Sequence, residues 1–170
     1  MAEVSAVRVE RVADPSAVLA HKMAIEGYAR AGLEEPSFDL AHELARDFGV
    51  AFAAWGPAPA PIGVLMGWCV ADELHVLSVV VDPPRRRLGA GRALTEAAIE
   101  HARASGMRLV LLEVRRHNTA AIRLYRSLGF LAVRVRRAYY ANGDDAVEMG
   151  LGLEPGALEA LLPDSGEPSL

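Results

Sequence analysis

From Phe48 to Ala71 the chain carries no charged residue, and Pro57, Pro59 and Pro61 stand in the middle of that stretch with Gly56 and Gly63. A run of this length approaches what a membrane-spanning helix needs. Prolines at that spacing forbid a continuous helix, because each removes an N–H and clashes with the preceding turn. The run is therefore predicted to form two buried strands, Val50–Trp55 and Ile62–Val70, joined by a Gly/Pro turn. With 170 residues, 52% hydrophobic and 24% charged, the chain is expected to fold as one globular domain.

The remaining pattern predicts further elements. Val4–Val12 alternates as a strand. Asp14-Pro15 offers an N-cap and a first-turn proline for a helix to about Ala31, and Ser37 can cap a second helix over Phe38–Phe48. Leu74–Val81 is an apolar strand closed by Asp82-Pro83-Pro84. A helix is expected from Arg92 to Ala104, a strand over Arg108–Val114, and a helix from Asn118 or Thr119 to Leu128. Strands Phe130–Tyr140 and Ala146–Leu153 flank the turn Asn142-Gly143-Asp144-Asp145. The order βααβββαβαββ implies an α/β fold of the α+β mixed kind, a mixed, mostly antiparallel sheet flanked by helices. The domain is expected to span residues 1–153, with 154–170 as a partly flexible tail.

A single cysteine, Cys69, excludes intramolecular disulfides and any multi-cysteine zinc site. It reads as a small core residue, and Trp55 and Trp68 as packing aromatics. The start MAEVSAVRVE lacks an apolar core, so a cytoplasmic protein is expected. Charge is uneven: residues 1–81 sum to −6, 82–140 to +9 and 141–170 to −7, giving −4 in all. The basic middle suggests an anionic ligand. A phosphorylated cofactor needs less surface there than nucleic acid would.

The loop Arg86-x-x-Gly89-x-Gly91 opens a helix, where glycines permit close backbone approach and unpaired N–H groups attract phosphate. It lacks the third glycine of a dinucleotide fingerprint and the Gly-Lys-Ser/Thr of a P-loop.

Together with the residues C-terminal to it, the loop carries more. The run V-D-P-x-x-R-R-x-G-x-G-R-A-L is succeeded by L-E-V-R-x-x-N-x-x-A-x-x-L-Y-x-x-L-G-F, then R-R-x-Y-Y and D-A-V-E-M. In these motifs the chain resembles the GNAT acetyltransferase superfamily. It is most similar to the RimI type, which acetylates the N-terminal alanine of a small-subunit ribosomal protein. The resemblance implies acetyl-CoA as acetyl donor and no metal. It implies that main-chain groups of Val79, Val80 and Val81 pair with the pantetheine arm. It places the phosphates on Arg86, Arg87, Leu88, Gly89, Ala90, Gly91 and Arg92, and another cofactor contact on Asn118. It implies Glu113 as general base, Tyr125 as general acid, and Tyr139 or Tyr140 over the acceptor peptide, since neighbours on a strand face opposite sides. The other acceptor wall would be the loop Gly32–Pro36.

Acidic Glu34, Glu35, Asp144 and Asp145 are expected to attract a basic N-terminal segment. His75 and His117 are weaker candidates for the base. The chain departs from the RimI type in lacking the aromatic-Pro-Trp signature of the Gly32–Pro36 loop, in having Arg85 before the phosphate loop, and in a shorter final hairpin. The expected activity is direct acetyl transfer to a protein N-terminus in a ternary complex, by a monomer or weak dimer, with no direct nucleic-acid or membrane partner. The rivals are a small-amine acetyltransferase and a non-catalytic acyl-CoA sensor.

Overall fold

The computed structural model describes residues 7–13, 42–43, 45–57 and 61–170. In chain order these form β1 (Arg8–Arg11), β2 (Gly49–Trp55), β3 (Pro61–Val70), β4 (Glu73–Val81), a 3-10 turn (Pro83–Arg85), α1 (Ala90–Ala104), β5 (Leu109–Arg115), α2 (Thr119–Ser127), β6 (Leu131–Arg136) and β7 (Ala146–Gly152). The helix expected from Asp14, the cap at Ser37, the loop Gly32–Pro36 and the acceptor candidates Glu34 and Glu35 lie outside the described residues.

The strands form one mixed sheet in the order β1-β2-β3-β4-β5-β7-β6. β4 and β5 run parallel, while β1–β2, β2–β3, β5–β7 and β6–β7 are antiparallel. The uncharged run forms the β2–β3 pair, in register from Gly49↔Trp68 to Ala54↔Gly63, with a shift before Trp55↔Pro61. Both strands are buried along most of their length, which explains the absence of alternation in the sequence.

The chain divides into two compact units, Met1–Trp68 with Leu77–Glu100, and Cys69–Val76 with His101–Leu170. The first has its core in Val50, Phe52, Ala54 and Leu65 of the strands and Leu94 and Ala98 of α1. Gly63 permits close packing there. A Cβ on it would stand 3.0 Å from the Val80 carbonyl oxygen and 3.2 Å from Leu94 Cδ1. The Trp68 ring meets Phe48 edge-on at 5.9 Å, and the Arg8 guanidinium lies 5.8 Å from the Trp55 ring.

In the second unit, Leu109, Val133, Ala157 and Leu158 form a buried cluster. The chain beyond β7 is tied to this unit. Glu167 Oε1 accepts from Arg126 Nη2 at 2.7 Å and from the Ala132 N–H at 2.9 Å. Cys69 is half-buried, not a core residue, with its Sγ 3.9 Å from His101 Nε2.

Among the boundaries that differ from expectation, two bear on the site. α1 starts at Ala90, two residues before Arg92, because Gly89 at φ +87° turns the chain directly into the helix. β6 ends at Arg136 and does not reach Tyr140. Ala138 takes φ +49°, which leaves the pleat, and its N–H donates to Asp145 Oδ1 at 2.9 Å instead of to a strand.

Candidate active site

The β4 ladder to β5 runs from Glu73↔Leu109 to Val76↔Leu112, within the second unit, and stops before Val79, Val80 and Val81. Those three residues continue as extended strand without that partner. The Arg86 Nε reaches back to the Val81 carbonyl at 3.3 Å. Arg87 takes φ +69°, an uncommon conformation for a residue with a Cβ. Leu88 is exposed, and a Cβ on Gly89 would meet nothing within 4 Å, so the loop's outer face is open. The first intrahelical bond of α1 runs from the Ala93 N–H to the Gly89 carbonyl at 2.9 Å. The N–H groups of Ala90, Gly91 and Arg92 therefore have no acceptor within the helix. No acidic residue occupies that first turn. Helix-start amides, a positive helix end and flanking guanidinium groups fit a pyrophosphate by charge and by donor chemistry.

In the second unit, α2 is held at both ends by its own motif. Asn118 is the N-cap, and its side chain accepts from the Ala121 N–H at 3.2 Å. At the other end Gly129 takes φ +94°, its N–H donates to the Arg126 carbonyl at 3.0 Å, and the Phe130 N–H donates to the Tyr125 carbonyl at 3.1 Å. This double closure is a Schellman cap, with the Phe130 ring 5.8 Å from that of Tyr125. The run Y-x-x-L-G-F thus anchors Tyr125, which is buried. Burial pushes its hydroxyl up to about 12, so it keeps its proton throughout the neutral range.

Glu113 is exposed on β5, directly opposite Glu148 on β7. Two carboxylates in register repel. Arg136 stands with both: its Nη1 lies 3.1 Å from Glu113 Oε1 and its Nη2 3.2 Å from Glu148 Oε2. Arg134 Nε adds a longer contact to Glu148 at 3.8 Å. Glu113 raises the Arg136 guanidinium above its already high value. Glu113 is likewise the first cause that raises the Tyr139 hydroxyl.

Tyr139 and Tyr140 do not face opposite sides as expected. They lie past the end of β6, and their rings meet edge-to-face at 5.3 Å. Arg115 lies 3.9 Å from the Tyr140 ring and donates to Asp144 at 2.9 Å and to Asn142 at 3.1 Å. Burial is the first cause that raises the Tyr140 hydroxyl. Asp144 and Asp145 pair with Arg115 and Arg116 at the end of β5, at 2.9 Å and 3.2 Å. Asn142 first, and then Arg115, hold Asp144 below the usual carboxylate range, while the Ala138 N–H and Arg116 do so for Asp145. His75 pairs with Glu73 at 2.7 Å, and exposed His117 lies 3.6 Å from Asp144.

Sequence reasoning missed Arg136 and Glu148 as site residues. Both stand inside the motifs R-R-x-Y-Y and D-A-V-E-M, but their meeting depends on strand register.

An open phosphate-type loop at a helix start and a carboxylate with a proton-retaining tyrosine are features of an acyl-group transferase. The sequence profile of the acetyltransferase (GNAT) family matches residues 19–130, and the chain belongs to that family. It is similar to the [ribosomal protein bS18]-alanine N-acetyltransferase of Escherichia coli K12, with 45% identity over 48% of this chain and 57% of that protein. It is also similar to the N-alpha-acetyltransferase RimI of Mycobacterium tuberculosis, with 40% identity over 57% of this chain and 52% of the other. The chain thus spans little more than half the length of these curated relatives. The crystal structure of the ribosomal-protein-S18-alanine N-acetyltransferase from Escherichia coli superposes with a TM-score of 0.75 at 28% identity, covering 87% of this chain and 94% of that one.

Proposed function

We propose that this protein is an acetyl-CoA-dependent N-terminal α-amino acetyltransferase. Its substrate is a protein N-terminus, the N-terminal alanine of a small-subunit ribosomal protein, and transfer is direct within a ternary complex. The observation that carries the reading is the pairing of roles in the second unit: an exposed carboxylate, Glu113, and a buried phenol, Tyr125, that does not ionise near neutral pH.

Each residue then has a task. The amides of Ala90, Gly91 and Arg92, with Arg86 and Arg87, hold the donor's phosphates. The main chain of Val79, Val80 and Val81 pairs with the pantetheine amides, and an N–H near Val79 receives the charge that develops on the thioester oxygen. A peptide α-amine has a pKa of about 7.7–8.0, so a carboxylate acting through water can take its proton near neutrality. The neutral nitrogen attacks the thioester carbon, the C–S bond breaks, and Tyr125 donates its proton to the departing thiolate. The proton that the nitrogen loses as the amide forms passes through water to restore the phenol. Tyr139 and Tyr140 flank the acceptor backbone. Glu34 and Glu35 would draw in basic residues that come after the first one.

The test uses purified protein, acetyl-CoA and two arginine-rich peptides. One peptide begins with free alanine, and the other is blocked at its N-terminus and carries an internal lysine. Mass spectrometry locates the acetyl group. Modification of the free-alanine peptide alone is expected, with Glu113→Gln lowering turnover by about 10²–10⁴-fold. Modification of the blocked peptide alone, or of neither, would overturn the reading.

A further inference from the structure

We propose that Arg136 is a positioning residue for this reaction, bridging Glu113 to Glu148 so that the Glu113 carboxylate is held in place to receive the acceptor's proton. The inference rests on the reading of Glu113 as the base.

The geometry argues for it in three ways. First, Glu113 and Glu148 are direct cross-strand neighbours, and without a cation between them they would push each other's side chains apart. Second, Arg136 meets both through separate nitrogens of one planar group, at 3.1 Å and 3.2 Å, which a point charge cannot do with the same fixed geometry. Third, the Arg136 Nε is buried without a hydrogen-bond partner among the described residues. An unsatisfied buried donor is a cost that sheet formation alone does not require.

The surroundings place the dependence on Arg136 with Glu113 more than with Glu148. Glu148 has a second cation in Arg134 at 3.8 Å. Glu113 is faced by Arg136 from β6, Glu148 from β7, and Tyr139 and Tyr140 from the turn. Arg115, on its own strand, is engaged with Asp144 and Tyr140. The Arg136 guanidinium also lies 5.3 Å from the Tyr139 ring, so one residue contacts both the Glu113 carboxylate and this tyrosine.

The experiment is a set of steady-state measurements on the full chain with acetyl-CoA and the free-alanine peptide, using R136Q, R136K, R136Q/E148Q, E113Q and R136Q/E113Q. Circular dichroism checks that each is folded at the assay temperature. Misplacing a reacting group is costly, so R136Q should lower kcat about tenfold while leaving the KM for acetyl-CoA unchanged. R136K should fall between R136Q and wild type. R136Q/E148Q should recover most of the loss, because the charge that repels Glu113 is gone. In the E113Q background, R136Q should change kcat by less than about twofold, since a residue acting through Glu113 has nothing left to position. Wild-type kcat in R136Q, or an undiminished loss in the E113Q background, overturns the inference alone. Wild-type kcat in E113Q overturns the base assignment and the inference with it.

Discussion

Replacing Tyr125 by phenylalanine removes one oxygen and one titration. The phenol's value is about 12 in the folded chain, against an ordinary 10.0. The unfolded chain therefore ionises first as pH rises. Stability from this group is fully present below pH 10, and is lost as pH climbs through the folded value. The difference of about two units corresponds to about 3 kcal/mol at the limit. About half of it should be gone by pH 11, and most of it by pH 12. The assay is urea unfolding of wild type and Tyr125→Phe at matched pH values from neutral to strongly alkaline. Other alkaline titrations act on both proteins and cancel in the difference, which should narrow in favour of the phenylalanine variant above pH 10. Parallel curves would refute the desolvation argument. The same variant should lose acetyl transfer by about 10²-fold or more if the phenol is the general acid.

Asn118→Ala should cost about 1 kcal/mol through the lost N-cap, whereas Asn118→Asp should keep stability. If Asn118 also contacts the donor, calorimetry should show weaker CoA binding for the aspartate variant, and unchanged affinity would leave it a cap alone. Gly150→Ala would place a Cβ 2.6 Å from Leu158 Cδ1 and 3.1 Å from Leu111 Cδ2. Overpacking of this kind should destabilise by about 1–3 kcal/mol in denaturant titration, with partial relief in Gly150→Ala/Leu158→Ala. Arg87→Gly should relieve a left-handed backbone worth about 1–2 kcal/mol and raise the Tm of the ligand-free protein, while calorimetry should show weaker CoA binding.

The elements most legible in the sequence are those specified by neighbours along the chain. The α2 boundaries follow from Asn118 and from Gly129-Phe130, because capping bonds join residues three to five positions apart. The β2–β3 pair is legible because prolines and the lack of charge exclude other outcomes. The sequence pattern overextends β6 because its residues through Tyr140 suit a strand, while the bond that ends it comes from Asp145 on the far side of the turn. The expectation that the two tyrosines face opposite sides fails for the same reason.

The candidate site divides along the same line. Glu113 and Tyr125 stand in contiguous motifs, and the phosphate-type loop is a local strand–turn–helix feature. The resemblance of these motifs to the family therefore nominates them, and the local pattern specifies the caps of α2. That Glu113 faces Glu148, and that Arg136 bridges the two, requires three strands to come into register. Register depends on the irregularity between Ala132 and Arg134 and on the turn after Arg136. The burial that keeps Tyr125 protonated likewise depends on what surrounds it in space. Local signals act through bonds a few residues long, whereas the electrostatics of the site are set by groups that only the folded sheet brings within a few ångströms.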